Sequence, residues 1–473
     1  AGLALAIPVM LAAAEPSLVS DPGPIHDFKV FTGAQSYGSF MVLLAALLLL
    51  VFIAKNSISL LANYLQSRYA YDIATNLARR QFIKYYNRGY TYFKDTNSAD
   101  IANNVLNIPV FFVSGILVSL INFLSEAAVL ILIVVTIAVA DIKLFAALLL
   151  VLVPTSAAIY ALTKNRLYSL GQRQLRLGMS TMQRINQAIF GYVDVRLTNK
   201  ENYFLDAYLK EQVHMNETLK AKHVINLVPT RALEAIAVLG ILVIFTHSYL
   251  TSSAETVVFQ FVASFAVAAF RMLPSLNRCL TAIMTIKSSV SFLEVLEEGT
   301  LPTEMQRMVK RPLPFEKSIE FKNVSFWFDD KTSRAVDQLN FEVKKGEKIG
   351  IIGESGSGKT TLMNLLLRFL RENEGGLYVD GHKLGEEDIA AWRDKVGYVQ
   401  QNVFLIDDSL RQNVAFGEHP EEIDEARLIA ALEQASLSDF VKSLPAGLDT
   451  PVGEMGGQLS GGQRQRIGIA RAL

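Results

Sequence analysis

The sequence predicts a multi-domain chain. An all-α region of six transmembrane helices, the first incomplete, is followed by an incomplete α/β domain built round a phosphate-binding loop. Three observations carry this. The 473 residues are 51% hydrophobic, too apolar for an ordinary water-soluble protein. Apolar stretches that meet the requirement of about 20 residues for crossing a bilayer recur through the first two thirds of the chain. The run Gly353-Glu354-Ser355-Gly356-Ser357-Gly358-Lys359-Thr360 stands between strand-like apolar residues (Lys348–Ile352) and a helical stretch from Thr361. Basic and acidic residues balance at 45 each, which argues against general nucleic-acid binding. The lone Cys279 excludes an intrachain disulfide framework and reads as a small buried residue.

The elements follow in order. Ala1–Ala14 is apolar but too short to span. Ala12-Ala13-Ala14 resembles a signal-peptidase site, yet no basic segment precedes it, so the second half of a truncated first helix is expected. Spans are expected at Phe40 to about Tyr64, about Pro109 to Ala140, Leu144 to Thr163, Val224 to Tyr249 and Thr256 to about Ile286. Arg68, Arg79, Arg80, Lys84, Arg88 and Lys94 follow the Phe40 span, and Lys164, Arg166, Arg173, Arg176, Arg184, Arg196 and Lys200 follow the Leu144 span. Basic residues stay cytoplasmic, so residues 65–109 and 164–223 are helical excursions on the inner side. The transmembrane region is read as 1–286 and a charged, proline-containing linker as 287–317. From Ser318 short β-branched strands alternate with turns, giving an α/β domain over 318–473.

Charges recur inside the spans. At 1.5 Å per residue from the outer end of each helix, Lys55, Glu234 and Arg271 lie about 23 Å deep, Glu126 about 21 Å and Arg231 about 27 Å. Ionisable groups at such depth pair or face a water-filled cavity. In one reading Lys55 pairs with Glu126 and Arg231 with Glu234, which holds the bundle together. In the other, Lys55, Arg231, Arg271 and Arg278 bind an anionic headgroup, Arg271 being unmatched and its planar guanidinium suited to phosphate oxygens.

In the glycine-rich run, consecutive backbone N–H groups at a helix N-terminus would cradle phosphate oxygens. Lys359 would reach the β/γ-phosphates and the Thr360 hydroxyl would ligate Mg²⁺. About a hundred residues on stands Leu459-Ser460-Gly461-Gly462-Gln463. With Gln401 in Gly397–Leu405 between them, the three segments resemble, in order, the Walker A loop, Q-loop and LSGGQ signature of ABC transporters. Phe328 resembles the aromatic that stacks on adenine, and Thr450-Pro451-Val452-Gly453-Glu454 the loop that precedes the signature in exporters. Gln400 stands where many relatives have proline.

The resemblance implies an exporter-type half-transporter in the cytoplasmic (inner) membrane, six helices fused to a nucleotide-binding domain. The tips Phe93–Asp100 and Gly191–Tyr203 resemble its coupling helices. Two copies would associate head to tail, with ATP and Mg²⁺ between Gly353–Thr361 of one and Ser460, Gly461, Gly462 and Gln463 of the other. Lys359 and Gln401 would take part in hydrolysis, Gln401 also sensing the metal. Arg271-Met272-Leu273-Pro274-Ser275-Leu276-Asn277-Arg278 resembles the sixth helix of bacterial lipid-linked oligosaccharide flippases, which implies a polyprenyl-pyrophosphate glycan as cargo. Export of drugs, lipid A-like lipids or peptides shares every nucleotide motif. A soluble ATPase of the family is excluded by the spans, and an ATP-gated channel differs only in passing current. The chain stops at Arg471-Ala472-Leu473, before the position of the family's Walker B strand, catalytic glutamate and switch histidine. As given it is expected to bind nucleotide weakly at best and not to turn over.

Overall fold

A backbone crossing lipid must satisfy its polar groups internally, and a helix does so segment by segment. In the computed structural model, which describes residues 16–20, 23–140, 142–250, 255–297, 312–328 and 334–473, five helices are long and apolar enough to cross a membrane. The expected first helix, at Ala1–Ala14, lies outside the described residues. The chain divides into two units, Ala1–Asn87 with Thr96–Glu304, and Arg88–Asp95 with Met305–Leu473.

In the first unit α1 (Tyr37–Tyr86) opens on a capping box. The Ser36 hydroxyl accepts from the Ser39 N–H and the Ser39 hydroxyl accepts from the Ser36 N–H. The chain returns through α3 (Ser98–Leu106), α4 (Ile108–Phe112), a π-helical turn (Val113–Leu117) and α5 (Val118–Ala140). Helix α6 (Ile142–Phe190) descends, the short α7 (Tyr192–Leu197) turns the chain, α8 (Glu201–Leu250) rises and α9 (Glu255–Glu297) completes the unit. Residues 287–297, expected in the linker, are the last turns of α9. No glycine or proline interrupts them, so the helix continues.

Helix α9 is the hub. Half of its apolar stretch is buried, against under a quarter in any other span. Leu148, Leu152 and Leu233 from α6 and α8 pack on its Phe265, Ala269, Met272 and Met284. Lower down, glycines set the spacing. A Cβ at Gly171 of α6 would fall on the Ser288 carbonyl oxygen, and one at Gly115 of the π turn on the Ser289 side chain. Ser288, Ser289 and Ser291 are buried there, and only a residue without a side chain lets the backbones come so near.

The second unit includes α2 (Gly89–Asp95), whose Tyr90 stacks on Phe369 with ring centroids 5.6 Å apart and whose hydroxyl accepts from Asn364 at 3.3 Å. Arg393 covers Phe369 as well, 4.7 Å from its centroid. The range expected as the first coupling tip, Phe93–Asp100, is divided between the end of α2 and the start of α3. Asn97 caps α3 through Ala99 N–H, which starts a new helix inside the expected range.

The sheet runs β2 (Val336–Lys344), β1 (Ser318–Phe326), β3 (Glu374–Val379), β4 (His382–Lys383), with every pairing antiparallel. Helix α10 (Lys359–Leu366) packs on it through Leu365, with Trp392 and Leu377 in the same core. A second core gathers Leu405, Leu410, Leu428 and Leu432 round Ile467, joining α11 (Glu425–Gln434) to α12 (Gly461–Ala472). The expected strand Lys348–Ile352 carries no secondary structure, and Ile352 is 98% exposed. A central strand needs a partner for its backbone groups, and no described segment pairs with this one.

Asp380, in the β3–β4 turn at φ 50°, fastens the start of this domain. Its carboxylate accepts from the backbone N–H groups of Glu316 (2.6 Å), Lys317 (2.7 Å) and Ser318 (2.9 Å). These donors, Glu316 foremost, hold its pKa below the ordinary aspartate value. The stabilisation is therefore complete above the unfolded-state value of about 3.9 and is lost as pH falls through the lower folded-state value. Asp380→Asn should melt earlier than wild type at pH 7, with the difference closing below about pH 4. The fluorescence of Trp327 and Trp392, both in this unit, reads the transition in the full-length protein.

Gly171→Ala forces α6 away from α9 and should cost about 1–3 kcal/mol. Gly178→Ala, whose Cβ would only touch Met215 at 3.8 Å, should be near neutral. Thermal stability of the two purified variants in detergent separates them.

Candidate functional site

Backbone conformation shapes the glycine-rich loop. Gly356 and Gly358 sit at φ 85° and 88°, and a Cβ at Gly358 would stand 2.5 Å from the Ala335 carbonyl oxygen. Gly358 caps α10, so the free N–H groups of that helix open at the loop. Lys359 folds back over the cradle and donates to the carbonyls of Gly353 (2.7 Å) and Glu354 (2.6 Å) and to the Ser357 hydroxyl (3.4 Å). The two carbonyls thus accept hydrogen bonds that the ammonium could instead give to phosphate oxygens. Ser355 and Thr360 are exposed, and Thr360 makes no side-chain hydrogen bond among the described residues. Thr361 continues α10.

Phe328 keeps 38% of its surface exposed. It meets Phe326 edge-on at 5.0 Å and carries Lys94 5.1 Å from its centroid. A base would stack on its open face or displace that ammonium. Gln401 is exposed and makes no hydrogen bond among the described residues.

In the signature segment, Ser460 caps α12. Its hydroxyl accepts from Gln463 N–H at 3.3 Å, and Gln463 Oε1 accepts from Ser460 N–H at 2.7 Å. The Gln463 side chain is thereby held within its own helix. A Cβ at Gly461 or Gly462 would meet nothing within 4 Å, so no contact inside the chain calls for glycine there. Loop and signature rest on separate cores, and no hydrogen bond, ion pair or ring contact joins them among the described residues.

In the membrane region the pairing differs from one of the two readings. Arg231 Nη1 does meet Glu234 Oε2 at 3.0 Å. Glu126, however, is held by Arg278 and not by Lys55. Arg278 Nε lies 2.6 Å from Glu126 Oε1, and its Nη2 donates to Oε2 at 3.0 Å. The reason is register. Helices α1 and α5 run antiparallel, with Gln66 donating to Asn122 and Ala70 and Ala74 packed near Val113 and Val118. Glu126 is then level with about Ala62, seven residues or roughly 10 Å from Lys55. Lys55 sits over Phe52, 5.3 Å from the ring centroid. Arg271 is half-buried and has no partner among the described residues.

Comparison with known proteins decides the family. Residues 336–473 match the family described as ABC transporter. The chain belongs to the ABC transporter family. ATP-dependent lipid A-core flippases of Alkalilimnicola ehrlichii and Burkholderia orbicola are 31% and 33% identical over 68% of this chain. The chain spans about half the length of these two relatives, 54% in each case. One from Cupriavidus metallidurans is 28% identical over 98% of this chain and 78% of its own. A bacterial Atm1-family ABC exporter solved with ATP bound shares the fold at TM-score 0.76 and 21% identity, covering 99% of this chain and 82% of that one.

This ABC chain thus carries an apolar helical domain fused to the ATPase-type fold, a multi-pass membrane protein. Sequence reasoning missed Arg471, the half-buried residue that secures the segment after Gln401. Its Nη1 donates to the Phe404 carbonyl (2.9 Å), its Nε to that of Asn413 (3.0 Å), and it covers Phe416 at 4.3 Å. Burial lowers its pKa from the ordinary guanidinium value. An arginine in an otherwise apolar register of α12 is the signal that could have found it.

Proposed function

We propose that the intact protein is an ATP-driven flippase or exporter in the inner membrane that moves a phosphorylated amphipathic lipid. The carrying observation is Arg271, a guanidinium at membrane depth with no partner among the described residues, while Glu126 and Glu234 neutralise Arg278 and Arg231. The names of the relatives favour a lipid A-core type of cargo, and the residues round Arg271 resemble those of lipid-linked oligosaccharide flippases. Both cargoes share a phosphorylated headgroup.

Hydrolysis is phosphoryl transfer to water, in which positioning and charge stabilisation dominate. The Lys359 ammonium would leave the Gly353 and Glu354 carbonyls for the β/γ-phosphates, while the α10 N-terminus binds the oxygens it uncovers. Among the described residues no cluster of His, Cys, Asp or Glu could hold a metal, so Mg²⁺ would arrive with the nucleotide. Thr360 and Gln401 would hold that ion, which neutralises charge on the phosphates. Ser460, Gly461, Gly462 and Gln463 would close on the same nucleotide from a second copy, which accounts for glycines that nothing in their own chain requires. A homodimer is supported further by the tip of α7, where Phe190, Tyr192, Val193, Leu197 and Tyr203 stand exposed.

The test is ATPase activity of the full-length protein in nanodiscs, with a lipid A-core glycolipid or a polyprenyl-pyrophosphate oligosaccharide added. One of them should stimulate wild type several-fold. Arg271→Ala should lose that stimulation with basal hydrolysis intact, and Lys359→Ala should lose all hydrolysis. Stimulation by neither lipid would overturn the cargo and leave the ATPase assignment to Lys359→Ala. Gly461→Ala should leave the melting temperature within the equivalent of about 0.5 kcal/mol yet lower turnover at least tenfold. Unchanged turnover would remove the second copy from the site.

A further inference from the structure

We propose that Glu126 sets the charge the membrane region demands of its cargo: it occupies the fork of Arg278, and a headgroup phosphate must carry two negative charges to take that fork from it. This rests on the reading of the cargo as a phosphorylated lipid.

The geometry is that of a guanidinium presented to phosphate. Two parallel N–H···O bonds, 2.6 and 3.0 Å between heavy atoms, join Arg278 to the two oxygens of Glu126, and phosphate oxygens accept the same fork. The pair is not sealed, since the Arg278 side chain keeps 57% of its surface and Glu126 21%. It belongs to a polar band crossing four helices. Gln66 of α1 donates to Asn122 of α5 at 3.3 Å, Glu126 of α5 holds Arg278 of α9, and Thr230 of α8 donates to Asn277 of α9 at 3.1 Å. On α8 Arg231 is the next residue after Thr230, and its partner Glu234 lies one turn on.

On α8 and α9 the charges are unequal: Arg231 and Arg278 are paired with Glu234 and Glu126, and Arg271 has no carboxylate partner among the described residues. A phosphodiester with one negative charge is matched by Arg271 alone. A phosphomonoester or pyrophosphate needs a second cation, and Arg278 is two turns along the same helix, roughly 10 Å away and within reach of a second long side chain. Doubling the anion's charge doubles its attraction to the fork, which lets it compete with a carboxylate already in place. A cavity of about 520 Å³ opens between α5, α6 and α9, lined by Leu130, Leu148, Leu152, Met272, Leu276 and Leu280. Leu130 lies one turn from Glu126 on α5, and an apolar lining of this kind suits a hydrocarbon chain.

The experiment compares binding of phosphatidic acid, doubly charged at pH 8, with phosphatidylglycerol, singly charged. Full-length protein is titrated with each in detergent and bound lipid is counted by native mass spectrometry, with phosphatidylcholine as baseline. Wild type should prefer phosphatidic acid by about tenfold, the equivalent of ~1.4 kcal/mol. Glu126→Gln should strengthen phosphatidylglycerol binding and bring the preference below about threefold. Glu126→Asp should restore it, and Arg278→Gln should lower phosphatidic acid to the level of phosphatidylglycerol. A purely structural pair would instead weaken both lipids alike in Glu126→Gln and leave their ratio at the wild-type value. That result, or a wild type without preference, overturns the role of Glu126. If wild type binds neither anionic lipid above baseline and Arg271→Ala changes nothing, the phosphorylated-lipid reading falls as well.

Discussion

The closeness with which α9 can be approached governs the membrane region. At Gly171 and Gly115 two neighbouring backbones come against Ser288 and Ser289 with no side chain between them. Lipid tails are as apolar as leucine, so helices in a bilayer gain little from burying apolar surface and hold together by close contact and polar bonds. The glycine contacts provide the first at the inner end of α9. The second comes nearer the middle, where Asn277 and Arg278, adjacent on α9, take partners on α8 and α5. One contact fixes the distance between helices and the other fixes their register. Together they determine which charges meet.

Register explains what was legible in the sequence and what was not. Spans, loop and signature could be read because each is a local pattern of apolar length or of glycines at fixed offsets. The charge pairing could not, because depth along one helix says nothing about how far its neighbour is displaced. Counting from the outer ends put Lys55 and Glu126 at one level, but the contacts of Gln66, Ala70 and Ala74 with α5 displace them by roughly 10 Å. Arg278 was expected only as one of the cations for an anionic headgroup, for the same reason. Its partner lies 152 residues away in sequence, on a helix whose rotation no periodicity reveals.

Lys348–Ile352 shows a different limit. Its composition is that of a buried strand, but a strand in the ladder sense exists only between partners. Propensity reports what a segment can become, and pairing decides whether it does. The first coupling tip illustrates the converse. It was expected at Phe93–Asp100, and the residue of that neighbourhood in contact is Tyr90, held between Asn364 and Phe369, with Arg393 also on the Phe369 ring. An aromatic in a short exposed helix has no pattern to distinguish it, and only the tertiary neighbour identifies it as the contact.

Under the proposed function, the two halves of the molecule solve the same electrostatic problem in the same way. A cationic group kept ready for phosphate is costly to leave bare, so each site supplies an internal acceptor until the ligand arrives. In the glycine-rich loop it is a pair of carbonyls, at Gly353 and Glu354, which hold the Lys359 ammonium by weak dipoles. In the membrane it is the full charge of Glu126, held in two hydrogen bonds by Arg278. The difference in strength follows the ligand. Nucleotide phosphates bring several charges and a helix N-terminus to help, so a weak stand-in suffices to keep the loop formed. A bilayer presents many lipids of single or zero net charge, and a carboxylate counter-ion is the simplest group that would keep them out of a site built for phosphate.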